Sequence, residues 1–505
     1  MTLDRARTFN SIYSSIVGTD QSEFSAATKI DGDQMDEPPM LAMSPFYMDF
    51  VRMGPITISK GSLASLSGRT ATLVDGTVIT DVAAVVLATG FDPSPSLSFL
   101  PSSVLDTLSH SSSHPNLPLA LGFHGTHHPS LPTLGFVGFY RSPYWGVMEM
   151  QARLIERLWS AASTSTALAP ALKQALESDE SLRGILALRE EPRRVSQFPM
   201  GDYPFLMQEF GCALDIPISP PLGPTPLLAN GKSMDILTPA RYSVARGGAQ
   251  AEEVAKSLAS THATAIAGLK DARFVAGAVF RSLLGEWHLE RDIVSRLPSH
   301  PSGRFVGTAR FLLRDGTADG RPTSTTSGKA CTLPSTTTEP DQNESNSQHQ
   351  EQDLGLEYLY IEDGEFTAAA PGGMRFRATR RYVYRYDEGR DMLSAWFVRV
   401  DDAARADYLF HELAFAVPSS EAVDPSAVAG EAGQVPSGGS APSTKTGEGA
   451  QRGWRATASH LCVEDLYDVQ YEFNFRAVNL RDWSLGYTVR GPKKDYSISG
   501  VYTRP

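Results

Sequence analysis

Residues 373–386 read GMRFRATRRYVYRY, and the side chains alternate. Met374, Phe376, Ala378, Arg380, Tyr382, Tyr384 and Tyr386 share one face of an extended chain. Arg375, Arg377, Thr379, Arg381, Val383 and Arg385 share the other. Successive strand side chains point to opposite sides, so a period of two over this length predicts a β-strand. The same reading holds for RFVGTARFLL (304–313), LEYLYIED (356–363), LSAWFVRV (393–400), ADYLFHEL (406–413), WRATASHLC (454–462), DLYDVQYEFNFRA (465–477), WSLGYTVRG (483–491) and YSISGVYTR (496–504). Short strands at regular spacing predict a closed, all-β barrel or a sandwich over about 273–505. Two stretches interrupt it. Residues 317–353 are rich in Thr, Ser, Gln and Glu, and 418–450 in Ser, Gly, Ala and Pro. Neither holds enough apolar surface to offset its ordering entropy, so both are expected to be disordered loops.

Gly285-Glu286-Trp287 opens the first strand after a helical segment. This resembles the G-x-W opening of lipocalins. The ending, Tyr467, Tyr471, Trp483 and then GPKKDY (491–496), is similar to that of an uncharacterised family of lipocalin-like domains. The resemblance implies that Trp287 closes one barrel end and stacks on an Arg of the last strand, here Arg504, through a cation–π contact. Trp287, Tyr382, Tyr384, Tyr471, Phe473 and Arg504 are the candidate ligand-binding residues, for an amphipathic small molecule inside an aromatic barrel. The alternative is that these rings simply fill a small barrel. His411 and His460 read as lining residues, haem ligands or, most simply, satisfied strand histidines. The arginine face of 375–385 either attracts an anion or is a solvated outer face.

Further towards the N-terminus, DVAAVVLATGFDP (81–93) combines an acidic residue, a continuous apolar run and a small-residue turn. The run reads as a strand buried on both faces. Leu73-Val74-Asp75-Gly76-Thr77 precedes it, and LPTLGFVGF (131–139) reads as another buried strand. Glu149-Met150-Gln151-Ala152-Arg153 begins a helical pattern. In this order and spacing, over about 50–245, the motifs resemble flavin-containing monooxygenases and their Baeyer–Villiger relatives. The resemblance implies a partial two-dinucleotide-binding α/β fold that takes FAD and NADPH and reacts with O2, with Thr89, Gly90, Phe91, Gly135 and Gly138 at the cofactor. The departure is large. GxGxxG, which places backbone N–H groups on a dinucleotide pyrophosphate, occurs nowhere, and FxGxxxH is absent. The sequence reads as starting inside the NADP domain, so flavin retention by this chain alone is not expected.

The organisation that follows is multidomain α+β: a weakly patterned segment (1–49), the partial cofactor domain (50–245), a helical linker (246–272) and the barrel (273–505). Hydrophobic residues form 41% of the chain, and 57 acidic residues against 45 basic ones give a net charge of −12. That balance disfavours a nucleic-acid partner. Three scattered cysteines, Cys212, Cys331 and Cys462, argue against a disulfide framework or zinc site and for a cytoplasmic setting. No signal peptide and no membrane span are expected. His124, His127 and His128 in FHGTHHP lack a carboxylate at ligand spacing and read as a surface loop. The catalytic residues and the oligomeric state are not legible. Two functions remain: a flavin monooxygenase-like oxidoreductase, incomplete as this chain, and a non-catalytic small-molecule-binding barrel.

Overall fold

In the computed structural model the described residues are 3–30, 32–37, 39, 44, 46–90, 92–139, 144–190, 202–223, 236–244, 247–297, 301–319, 355–369, 373–417 and 453–505. Nearly all of the two interrupting stretches, and Phe91, lie outside them. No helix among the described residues is long and apolar enough to cross a membrane.

The C-terminal part is a closed barrel of ten strands: β4 (Gly285–Ser295), β5 (Gly303–Asp315), β6 (Leu356–Ala368), β7 (Arg375–Asp387), β8 (Met392–Val398), β9 (Ala406–Ala416), β10 (Trp454–Cys462), β11 (Asp465–Arg476), β12 (Asn479–Arg490) and β13 (Asp495–Thr503). Each strand pairs antiparallel with its neighbours in sequence, and β13 returns to pair with β4. The alternation of 373–386 sets the inside: Tyr384 is buried in the barrel core, while Arg375 and Arg377 reach outward to Glu365 and Asp363. The arginine face is therefore an outer face, solvated at Arg375, Arg377 and Arg381 but buried at Arg385, which pairs with Glu357.

One end is sealed. The helix immediately before the barrel, labelled α9 in the chain order given below (Val275–Leu283), turns Val279, Phe280 and Leu283 into the core. Phe280 lies 4.5 Å from the Tyr358 ring, centre to centre. Trp287 and Trp483, both fully buried, meet edge to face at 6.3 Å. Arg504 sits 3.8 Å over the Trp287 ring and donates to the carbonyls of Leu284 and Ser282. It thereby satisfies carbonyls at a helix end that have no partner within the helix.

The N-terminal segment corrects an expectation. The weakly patterned segment 1–49 carries two helices that were not expected, α1 (Leu3–Val17) and the start of α2 (Tyr47–Met53). Phe46 and Phe50 pack on the barrel core, and Asp49 reaches Arg504 at 3.6 Å. Ala6 and Asn10 are the buried residues of α1, and Asn10 donates to the Met35 and Glu37 carbonyls. A helix docked through a small and a polar residue shows no apolar stripe.

Residues 50–245 contain a three-stranded antiparallel sheet, β1 (Leu63–Ser67), β2 (Thr70–Leu73) and β3 (Val78–Ile79), with Asp75-Gly76 in the turn. Helices α3 (Ser102–Thr107), α4 (Trp145–Thr164), α5 (Pro170–Glu177), α6 (Ser181–Arg189) and α7 (Tyr203–Ala213) follow, and α8 (Gly248–Lys270) leads towards α9. The helical pattern at Glu149–Arg153 lies in α4, and the expected helical linker corresponds to α8. The two expected buried strands do not form. Residues 83–90 have no sheet partner, and Val86 and Leu87 are 86% and 81% exposed. In 131–139 only Gly135 bridges, to His127. A run buried on both faces needs strands beside it and layers above and below. Every strand pairing among the described residues is antiparallel, so the dinucleotide-binding fold is not shown. The FHGTHHP loop is half-buried rather than superficial, with the Phe123 N–H donating to Asp179 at 2.7 Å.

Candidate functional site

The barrel end opposite α9 is lined differently. Six consecutive strands, β7 to β12, each contribute one inward ring: Tyr382, Phe397, Phe410, His460, Tyr467 and Tyr487. Phe410 is 4% exposed and touches the other five, with centroid distances of 5.9, 4.5, 5.2, 5.9 and 6.1 Å in the order Tyr382, Phe397, His460, Tyr467, Tyr487. It forms the floor of a bowl. The other five keep accessible surface although they face the barrel interior. Tyr382 and Tyr487 lie nearly parallel to Phe410, at interplanar angles of 15° and 18°.

The remaining wall is polar. Arg291 on β4 donates from Nη1 and Nη2 to the two oxygens of Glu362 on β6, at 2.8 and 2.5 Å. Its Nη2 also donates to the Tyr502 hydroxyl at 2.9 Å, and Tyr360 donates to Glu362 Oε1 at 2.6 Å. Burial works to raise the Glu362 carboxyl, but the Arg291 guanidinium more than offsets it, and the group stays below its ordinary value. Burial pushes the Tyr360 and Tyr487 hydroxyls far up, so both remain neutral donors. Arg380 stands directly opposite Glu362 in the β6–β7 register, near Tyr382 and exposed to solvent. At the rim, Lys494 donates to the Tyr467 hydroxyl at 2.7 Å.

Below the bowl, His411 Nε2 and the Tyr471 hydroxyl are 2.8 Å apart. Burial, helped by His460, pulls His411 down to about 3, so its ring is neutral. Its Nδ1 is buried without a partner among the described residues. His411 is thus only half-satisfied, and His460 is a lining residue.

The sequence-derived residues divide by depth. Tyr382 is in the bowl. Tyr384 and Tyr471 lie under it, both buried. Phe473 stacks on Trp483 in the buried core, and Trp287 and Arg504 belong to the sealed end, where they hold the barrel shut. Phe397, Phe410, Tyr487, Arg291, Glu362 and Arg380 were not singled out. Phe397, Tyr487, Arg291, Glu362 and Arg380 obey the alternation, which marks a face but not a height along the barrel; Phe410 sits where β9 shifts register, so that it and the next residue, His411, are both buried.

Of the residues implied for a flavin, Phe91 lies outside the described residues. Thr89 and Gly90 lie in the exposed unpaired stretch. A Cβ on Gly135 would run into Ile155, and the Gly138 N–H is committed to Gln151 at 2.9 Å. Among the described residues no group of three or more His, Cys, Asp or Glu is placed to hold a metal ion.

No curated protein matches the sequence. Among solved structures, the S-type phycobiliprotein lyase CPES from Guillardia theta aligns with 45% of this chain and 92% of its own, at 7% identity and a TM-score of 0.22, too loose a superposition to bear on fold or function. Residues 283–429 and 443–504 match the model of DUF6314, a family of unknown function, so the C-terminal barrel is a DUF6314 domain.

Proposed function

We propose that the barrel binds a small, largely apolar molecule that enters through the open end and rests in the aromatic bowl. The observation that carries this is Phe410, in contact with five rings from five other strands, each of which retains accessible surface. Rings that only filled the barrel would be sealed, as Trp287, Phe311 and Trp483 are at the other end. A concave, mostly apolar lining with a few convergent polar groups is the usual form of a small-molecule site. The test uses N-phenyl-naphthylamine, a neutral probe that fluoresces in apolar surroundings. Saturable binding, lost in Phe397→Arg with the circular dichroism unchanged, is expected. Absence of saturable binding to the unaltered chain rejects the reading.

A second reading concerns residues 50–245. A flavin-containing monooxygenase-like role, with FAD, NADPH and O2, is favoured by one observation: the apolar run Val85-Val86-Leu87 is exposed, with no sheet around it among the described residues. A dinucleotide-binding fold without its opening strands would leave such a run bare. The purified chain is expected to hold no flavin by itself and to gain a visible flavin band when a polypeptide with the strand–GxGxxG–helix unit is supplied. No flavin uptake under either condition rejects it.

A further inference from the structure

We infer that the molecule held in the bowl carries one anionic oxygen group, bound by Arg380, on a flat unsaturated body. This rests on the binding role proposed above and adds the chemical class of the ligand.

The first argument is a charge count inside the barrel. Arg291 and Glu362 cancel, and the carboxylate has both oxygens engaged by that one guanidinium, with Tyr360 also donating to Oε1. Arg380 faces Glu362 across the β6–β7 pair but finds it already occupied. Among the described residues no carboxylate lies within 4.0 Å of Arg380. On the outer face of β7, Arg375 pairs with Glu365, Arg377 with Asp363 and Arg385 with Glu357, while the exposed Arg381 has no carboxylate partner among the described residues. The inward arginine is thus a surplus cation in a chain whose net charge is −12, with Lys494 adding positive charge at the rim.

The second argument is desolvation. Arg380 is exposed to water. An apolar molecule lying against Tyr382 would strip that water, and a guanidinium so stripped needs an acceptor from the ligand itself. A cationic ligand would meet repulsion, and a neutral one would leave the charge uncompensated. A carboxylate or sulfonate matches the planar donor fork. The flat body follows from the near-parallel planes of Tyr382, Phe410 and Tyr487, which present stacking faces rather than a round cavity.

The test compares two probes with the same ring skeleton, anilinonaphthalene sulfonate and the uncharged N-phenyl-naphthylamine, on the full chain. The sulfonate is expected to bind about tenfold or more tighter, as a charge-assisted hydrogen bond implies. Arg380→Gln should bring the sulfonate's affinity down to that of the neutral probe. Arg377→Gln, on the outer face, should change neither. Equal affinities for both probes, or a preference that survives Arg380→Gln, overturns the inference while leaving the binding role standing. If neither probe is held, the inference and the binding role fall together.

Discussion

Arg504, from the end of the chain, lies 3.8 Å above the centre of the Trp287 ring at the start of the first barrel strand. The contact joins the two strands whose pairing closes the cylinder, and the same guanidinium tethers the end of α9 through two carbonyls. Trp287 is fully buried, with its ring N–H donating to Leu283 at 2.9 Å. Trp287→Ala is expected to cost about 3–5 kcal/mol, the range for a large buried aromatic. Urea unfolding followed by circular dichroism measures it. A loss below about 1 kcal/mol would show that the sealed end does not depend on this ring.

The Arg291–Glu362 pair should behave asymmetrically. Glu362→Leu alone leaves a buried guanidinium unpaired and is expected to destabilise by about 3–5 kcal/mol. Adding Arg291→Met should recover most of that loss, because two apolar side chains need no partner. Unfolding curves of the two single variants and the double variant decide it; additive losses would mean that the pair is not an electrostatic unit.

Acid should weaken the barrel through His411. The folded ring has its proton affinity depressed to about 3 by burial and by His460, while an unfolded histidine titrates near ~6.5. Between those values the unfolded chain binds a proton that the folded chain does not, so acid favours unfolding. The contribution is fully present above ~6.5 and is lost progressively as the pH falls towards 3. His411→Phe should flatten the pH dependence of the urea midpoint over this window. An unchanged slope would assign the acid sensitivity to other groups.

Gly18 ends α1 with φ +80, and a Cβ there would collide with the Arg476 carbonyl of β11. Gly18→Ala is expected to cost about 1 kcal/mol or more through the left-handed backbone and the clash. Hydrogen exchange should rise in Leu3–Val17 before it rises in the barrel strands. Uniform exchange in both would mean that the N-terminal helices are not a separable clasp.

The barrel was legible because alternation is a local property. GMRFRATRRYVYRY shows its inner and outer faces without reference to any other strand, and Trp287 and Arg504 carry their own geometric demand for a partner. The binding end was less so. Five arginines fall between 375 and 385, and nothing local separates Arg380 from the rest. Its distinction depends on Glu362 being claimed by Arg291, 71 residues earlier in the chain. The apolar run at 83–88 failed for a related reason. Its composition states a need for burial, but only neighbouring strands can meet that need, and no described residue supplies one. α1 was missed because Asn10 docks it by hydrogen bonds, which leave no hydrophobic period.

The meeting of β4 with β13 also sets the order in which the barrel can be made. Arg291 and Tyr502, joined across that seam, are 211 residues apart in the chain. Hairpins such as β11–β12 can form as soon as they are synthesised, but β4 must wait with a bare edge until the last strand leaves the ribosome. Contacts of such long range slow folding, and an unpaired edge is a template for other chains. Aggregation during synthesis should therefore be governed by how long β4 stays open, and truncations that remove β13 should be more aggregation-prone than their lost stability alone would explain.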